Sequence, residues 1–285
     1  MRNFLGHTYH INTLSLQNDI LASGGGDTKA IVWDILTGKK IFTAEHNSWV
    51  GSVGVTENYL VTSTGKGQIN IWKYDNGVQI LSTTAHDGAI RTIAISSNQK
   101  FLFSGGKDSK IKIWSFPELN LVNEFCYHQG EVRRLAVDYS GTTIFSGDSQ
   151  GNVLMFDINT QREKQILNLE GQMIRSVTFS DKYKLLALAI STGEVIVWDT
   201  ANEIVKWRVQ GHNGQSIGIA FHPEKEIIAT GGQDKTIRLW NLGNGAIIDS
   251  IVGHSNTITS LVFSQNGKWL LSSSRDEMIS MWQVL

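Results

Sequence analysis

An apolar-polar-apolar run closed by an aromatic residue recurs along the chain, as KAIVWD, QINIWK, KIKIWS, NVLMFD, EVIVWD, TIRLWN and MISMWQ. The closing residues Trp33, Trp72, Trp114, Phe156, Trp198, Trp240 and Trp282 are 39 and then five times 42 residues apart. A spacing held that tightly marks an array of like structural units. Each unit reads as strands. KIKIW and TIRLW alternate strictly, which is the period of a half-buried strand. Short apolar runs such as FLFSGG, IIATGG and WLLSSS precede them and stop at Gly, Ser or Asp. A turn and a weaker alternating run such as AIIDSIVGH follow.

Four short antiparallel strands per unit is the natural count. Such a sheet has two apolar faces and cannot bury both alone. Stacking seven sheets around an axis buries them and leaves only short edges. The expected fold is therefore all-β, a seven-bladed propeller of four-stranded antiparallel blades. It is expected to form one domain over residues 1–285, with no linker left over. The chain ends just after the third strand of its seventh unit, so residues 1–5 are expected to supply the missing outer strand and remove an exposed edge.

Composition narrows the function classes. A net charge of −1 gives no global pull toward nucleic acid or an anionic membrane. The lone cysteine, Cys126, excludes an internal disulfide and fits a reducing compartment, cytoplasmic or nuclear. No secretory signal and no stretch of membrane-spanning length is read in the chain.

The motifs at these positions resemble the WD-repeat family of β-propellers over the whole of residues 1–285. The resemblance is carried by Gly6-His7, Gly211-His212 and Gly253-His254, by the S/T-G-G-x-D turns, and by the Trp-Asp pairs at Asp34 and Asp199. It implies closure of the ring by the N-terminal strand. It also bears on a tempting constellation. In the sixth unit His212, Thr230, Asp234 and Trp240 offer a His, a hydroxyl and an Asp, the parts of a catalytic triad. The same quartet recurs at fixed spacing in units one (His7, Ser23, Asp27, Trp33), three (His86, Ser104, Asp108, Trp114) and seven (His254, Ser272, Asp276, Trp282). Four copies argue for scaffolding, since a triad is one constellation set in a cleft. In the family the quartet is a hydrogen-bond relay tying strand turns together. Unit two (His46, Thr62, Trp72) has Lys66 in place of Asp. Unit four (His128, Ser146) has Gln150 and Phe156 in place of Asp and Trp. Unit five keeps only Trp198, with Glu170 and Leu188 at the other places.

No catalytic residue, cofactor site or metal site is expected. The GH histidines are dispersed one per unit, and SGGG at Ser23 to Gly26 lacks the Gly-Lys-Ser/Thr of a phosphate loop. His10 and His222 read as solvated loop residues outside the repeat, and Cys126 as a small core residue.

Recognition by surfaces remains. Apolar residues fall four, seven and nine places after the GH histidine, as at Ile90, Ile93 and Ile95. The gap of three predicts a β-bulge at the start of each first strand, freeing the residue five places after the histidine from the core. In WD-repeat propellers this position lines the top face, where partners commonly dock. Here it holds Arg91, Arg133 and Arg175 in three consecutive units. Arg134, Lys107 and Arg275 add positive charge, Trp49 offers an aromatic anchor, and Glu131 and Asp87 are acidic counterweights. The arginines either dock an anion or pair with neighbours such as Glu131. The leading expectation is a noncatalytic scaffold, a monomeric propeller within a larger assembly, that docks an acidic or phosphorylated segment of a protein partner and engages no membrane. The alternative is RNA or another nucleic acid on the arginine arc, against which stands the lack of a continuous basic stripe. A propeller enzyme is the third class. Ubiquitin-ligase adaptors of the family carry Arg two places after Trp-Asp; the tails WDIL, WDTA and WNLG do not.

Overall fold

The computed structural model describes residues 2–284. Met1 and Leu285, at the two ends of the expected domain, lie outside the described residues. The strands form seven sheets of four, and there is no helix among the described residues. Blades 1 to 6 each run in chain order from the inner strand outward, at residues 11–45, 50–84, 90–125, 132–168, 174–210 and 216–252. Blade 7 takes three strands from residues 258–283 and its outermost from Arg2–Phe4. That strand pairs antiparallel with Ile279–Gln283, in the register Arg2 to Met281 and Phe4 to Ile279. Inner strands pack against their neighbours all the way round, and Ile258–Phe263 meets Ile11–Gln17 to close the ring.

The binary pattern explains this stacking. Each seam between neighbouring sheets holds its own apolar core. The closing seam joins Leu271, Ile279 and Met281 of blade 7 to Ile11, Leu14 and Trp33 of blade 1, with Phe4 among them. Close packing at the seams also accounts for the glycine that recurs in second strands. A Cβ at Gly231 would collide with the Ile258 side chain of the next blade, and one at Gly147 with Ile174.

The complete quartets form relays. In blade 1 the Trp33 indole N–H donates to Ser23 Oγ at 2.9 Å, Ser23 meets His7 Nε2 at 2.8 Å, and His7 Nδ1 meets the Asp27 carboxylate at 2.9 Å. An indole N–H can only donate, so the hydroxyl accepts it and sends its own proton to Nε2. The imidazole proton is then on Nδ1, facing the carboxylate. Blades 3, 6 and 7 repeat the relay at 2.6 to 2.9 Å. The groups are enclosed by the blade, which fits a structural tie.

The incomplete blades differ from one another. In blade 4 the carboxylate is not lost. Asp148, two places before Gln150, meets His128 Nδ1 at 3.1 Å, and Ser146 Oγ meets Nε2 at 2.7 Å. In blade 2 His46 Nε2 still meets Thr62 at 2.8 Å, but its buried Nδ1 has no partner, as Lys66 supplies no acceptor. In blade 5 the relay is replaced by hydrocarbon, with Leu188 fully buried in the seam against blade 4.

Two expectations are corrected. His222 is not a solvated loop residue outside the repeat. It is 2% exposed and lies 42 residues from both Ser180 and Ser264. There it caps the turn after the inner strand, accepting at Nδ1 from the Glu224 and Lys225 amides and donating from Nε2 to Gly267 O of the next blade. Cys126 is not a core residue: it is exposed, just beyond the outer strand Leu121–Phe125.

Candidate functional site

Every inner strand carries the expected irregularity at its start. In blade 3 the register with the second strand shifts between Ile90 and Thr92, in blade 4 between Val132 and Arg134, and in blade 5 between Ile174 and Ser176. The skipped residue of each is an arginine. A bulge leaves that residue out of the ladder and re-aims its side chain, here toward the channel mouth. Arg91, Arg133 and Arg175 accordingly line one cavity of about 530 Å³, together with Arg134, Arg275 and Trp49. Lys107 is exposed and is not part of that lining.

The arc is not made of three free cations. Arg91 Nε donates to Glu131 Oε2 at 3.2 Å, and Arg133 donates to the same oxygen at 3.1 Å. Burial would raise the Glu131 carboxyl, but these two guanidinium groups outweigh it and hold it below the usual carboxylate range. The Arg91 guanidinium also lies 5.1 Å from the centroid of the Trp49 ring, within cation–π range. Trp49 is thus half-buried beneath an arginine. Among the described residues no carboxylate pairs with Arg175. Its nearest polar contact is Met173 Sδ at 3.4 Å, a weak acceptor.

Arg134, one place beyond the bulge, extends from the mouth into the axial channel. It donates to the backbone carbonyls of Arg133 at 2.9 Å and Arg91 at 3.2 Å. Burial and then the surrounding arginines push it down to about 9, and the same causes push Arg175 down to about 10. Both stay charged at neutral pH. Tyr9, His10, Asn256 and Glu277 complete one side of the lining. His10, read from the sequence as a solvated loop residue, lies three places after its GH histidine and faces the mouth. Tyr9 and Asn256 lie two places after their GH histidines, an offset that would have found them. Among the described residues no group of three or more His, Cys, Asp or Glu is placed to hold a metal ion.

A family model for the WD domain, G-beta repeat, matches residues 1–34, 77–115, 205–241 and 245–283. These matches fall on the four units whose quartets are complete in sequence. The chain belongs to the WD-repeat family. Among curated relatives, a DENN domain and WD repeat-containing protein, SCD1 of Arabidopsis thaliana, is 30% identical over 100 residues, 33% of this chain and 8% of that protein. An F-box/WD-40 repeat-containing protein of the same plant is 30% identical over 104 residues, 36% of this chain and 19% of the relative. The small ribosomal subunit protein RACK1 of Drosophila melanogaster is 35% identical over 74 residues, 25% of this chain and 23% of the relative. The matched segments thus span a quarter or less of these WD-repeat relatives. WD-repeat propellers generally act as protein-interaction scaffolds.

Proposed function

We propose that this propeller is a noncatalytic, intracellular scaffold whose channel mouth docks an acidic or phosphorylated segment of a protein partner within a larger assembly. The observation that carries the reading is the charge balance of the mouth. Five arginines line a single cavity, and the acidic groups at hand are Glu131, which bridges two of them, and Glu277. Such an excess on a rigid frame lowers the energy of an incoming anion and suits carboxylate or phosphate recognition by planar guanidinium forks. Trp49 and Tyr9 on the same wall give an extended chain apolar surface to lie on. The propeller's repeated relay accounts for the His, Asp and hydroxyl groups that would otherwise suggest catalysis. Relatives named as a ribosomal subunit protein and an F-box/WD-40 protein fit a role within assemblies. Nucleic acid is the weaker fit, because the sequence shows no continuous basic stripe and the net charge is −1.

The test is affinity capture from native cell extract with the parent chain and with Arg91→Gln/Arg133→Gln/Arg175→Gln, followed by mass spectrometry. Proteins retained by the parent and lost with the variant are the expected result. An identical protein set from both would reject the mouth as the docking site.

A further inference from the structure

The position six places after the GH histidine faces the axial channel, and six blades fill it with small residues: Thr13, Ser52, Thr92, Ser176, Gly218 and Ser260. Blade 4 alone places a long cation there, Arg134. The mouth therefore holds two kinds of arginine. Arg91 and Arg133 share the Glu131 carboxylate. Arg134 and Arg175 have no carboxylate within ion-pairing distance among the described residues, although both are half-buried. Partly buried charge without a counter-charge is unfavourable. Two backbone carbonyls satisfy part of the Arg134 donor set but carry no net charge. Among the described residues the enclosed Nε–H groups of both Arg133 and Arg175 have no acceptor. Arg275 faces the same cavity from blade 7.

We propose that Arg134 and Arg175 form the floor of a phosphoryl-anion site at the top of the axial channel, with Arg275 closing it from across the ring. This rests on the docking function proposed above and narrows its ligand from any acidic group to a phosphate monoester or free phosphate. Glu131 shows how the mouth receives a carboxylate: it bridges Arg91 and Arg133 from the wall and leaves Arg134 and Arg175 unmatched. A second carboxylate would neutralise one of them. A phosphoryl dianion carries the charge for both and has three oxygens to meet forks arriving from adjacent blades. The cavity, about 530 Å³, has room for the ester's carrier as well as the phosphoryl group. Glu131 then acts as an internal placeholder, which keeps the Arg91–Arg133 fork from competing for the ligand.

The experiment is titration of the full chain, at constant ionic strength, with inorganic phosphate, N-acetyl-phosphoserine amide and N-acetyl-glutamate amide. Binding is read by calorimetry and by ³¹P line broadening. The parent is expected to bind both phosphoryl probes at least about ten-fold more tightly than the carboxylate. Arg175→Gln and Arg134→Met should each weaken phosphoryl binding at least about ten-fold, while Lys107→Gln leaves it unchanged and Glu131→Gln does not weaken it. Should Arg134→Met fail to fold, Arg175→Gln carries the test alone. Equal affinity for inorganic phosphate and the ester identifies a free-ion site; a preference for the ester identifies a phosphorylated side chain. Carboxylate binding equal to phosphoryl binding, or phosphoryl binding indifferent to Arg175→Gln, overturns the site. Acidic-segment docking that still depends on the arc would leave the broader function standing in either case.

Discussion

His128 finds Asp148 rather than a residue at the turn because Gln150, at the usual place, carries no negative charge to orient an imidazole N–H. Asp148 also accepts from the Gln150 and Asn152 amides and from the Asn152 side chain at 2.8 to 2.9 Å, so one carboxylate organises the whole turn. Counting back a fixed number of residues from Phe156 could not locate it, since the chain reaches the same point in space from a different offset. Asp148→Ala is expected to lower stability by roughly 1–3 kcal/mol, as removal of a buried hydrogen-bonded partner does, whereas Gln150→Ala stays within about 0.5 kcal/mol. Thermal unfolding of the two variants checks this. The same residue sets an acid response. Burial alone would raise the Asp148 carboxyl, but the bonds from His128 and Asn152 outweigh it and bring it down to about 2. A folded value below the unfolded one, about 4, gives stabilisation that is complete above pH 4 and is lost as pH falls toward 2. The melting-temperature gap between the parent and Asp148→Asn should therefore close between about pH 4 and pH 2. An unchanged gap at pH 2 would contradict the ionised relay.

At the scale of strands, the bulges were legible because a break in alternation is written directly in the sequence. Ile90 and Ile93 lie three apart on one face, so one residue between them has to leave the ladder. His222 was not legible, because a histidine capping a turn replaces the serine found at Ser96 and Ser264, and only the 42-residue spacing reveals the equivalence. The closing strand was legible from the count of strands in the last unit. Its stabilising contact is one side chain: Phe4 is 2% exposed and packs edge-on to Trp33, ring centroids 5.8 Å apart. Phe4→Ala is expected to cost about 3–5 kcal/mol through the cavity it leaves at the blade 7 to blade 1 seam. Hydrogen exchange should accelerate first in Ile279–Gln283, the strand of blade 7 that pairs with Arg2–Phe4, and next in its neighbour Trp269–Ser274. Uniform loosening across all seven blades would show that the seam is no weaker than the rest.

Taken whole, the ring brings together residues that are 42 places apart in sequence, and this is why an arc of arginines could be read before its setting. What could not be read was the balance of charge within it. Whether Glu131 reaches Arg91, Arg133 or both depends on the twist between two blades. The burial of Arg134 depends on the channel that all seven enclose. That balance also governs how the arc is best perturbed. Charge reversal at Arg91 and Arg133 would surround Glu131 with carboxylates and strain the fold, so neutral glutamine is the informative replacement. The most direct measurement of the central claim is the affinity of the captured partner's docking segment for the parent and for Arg91→Gln/Arg133→Gln/Arg175→Gln, across a salt series. The parent should bind more weakly as salt rises, because part of the attraction is screened Coulomb energy. The triple variant should lose at least about ten-fold in affinity at low salt while melting within about 3 °C of the parent. Parental affinity and parental salt dependence in the triple variant would contradict docking at the mouth.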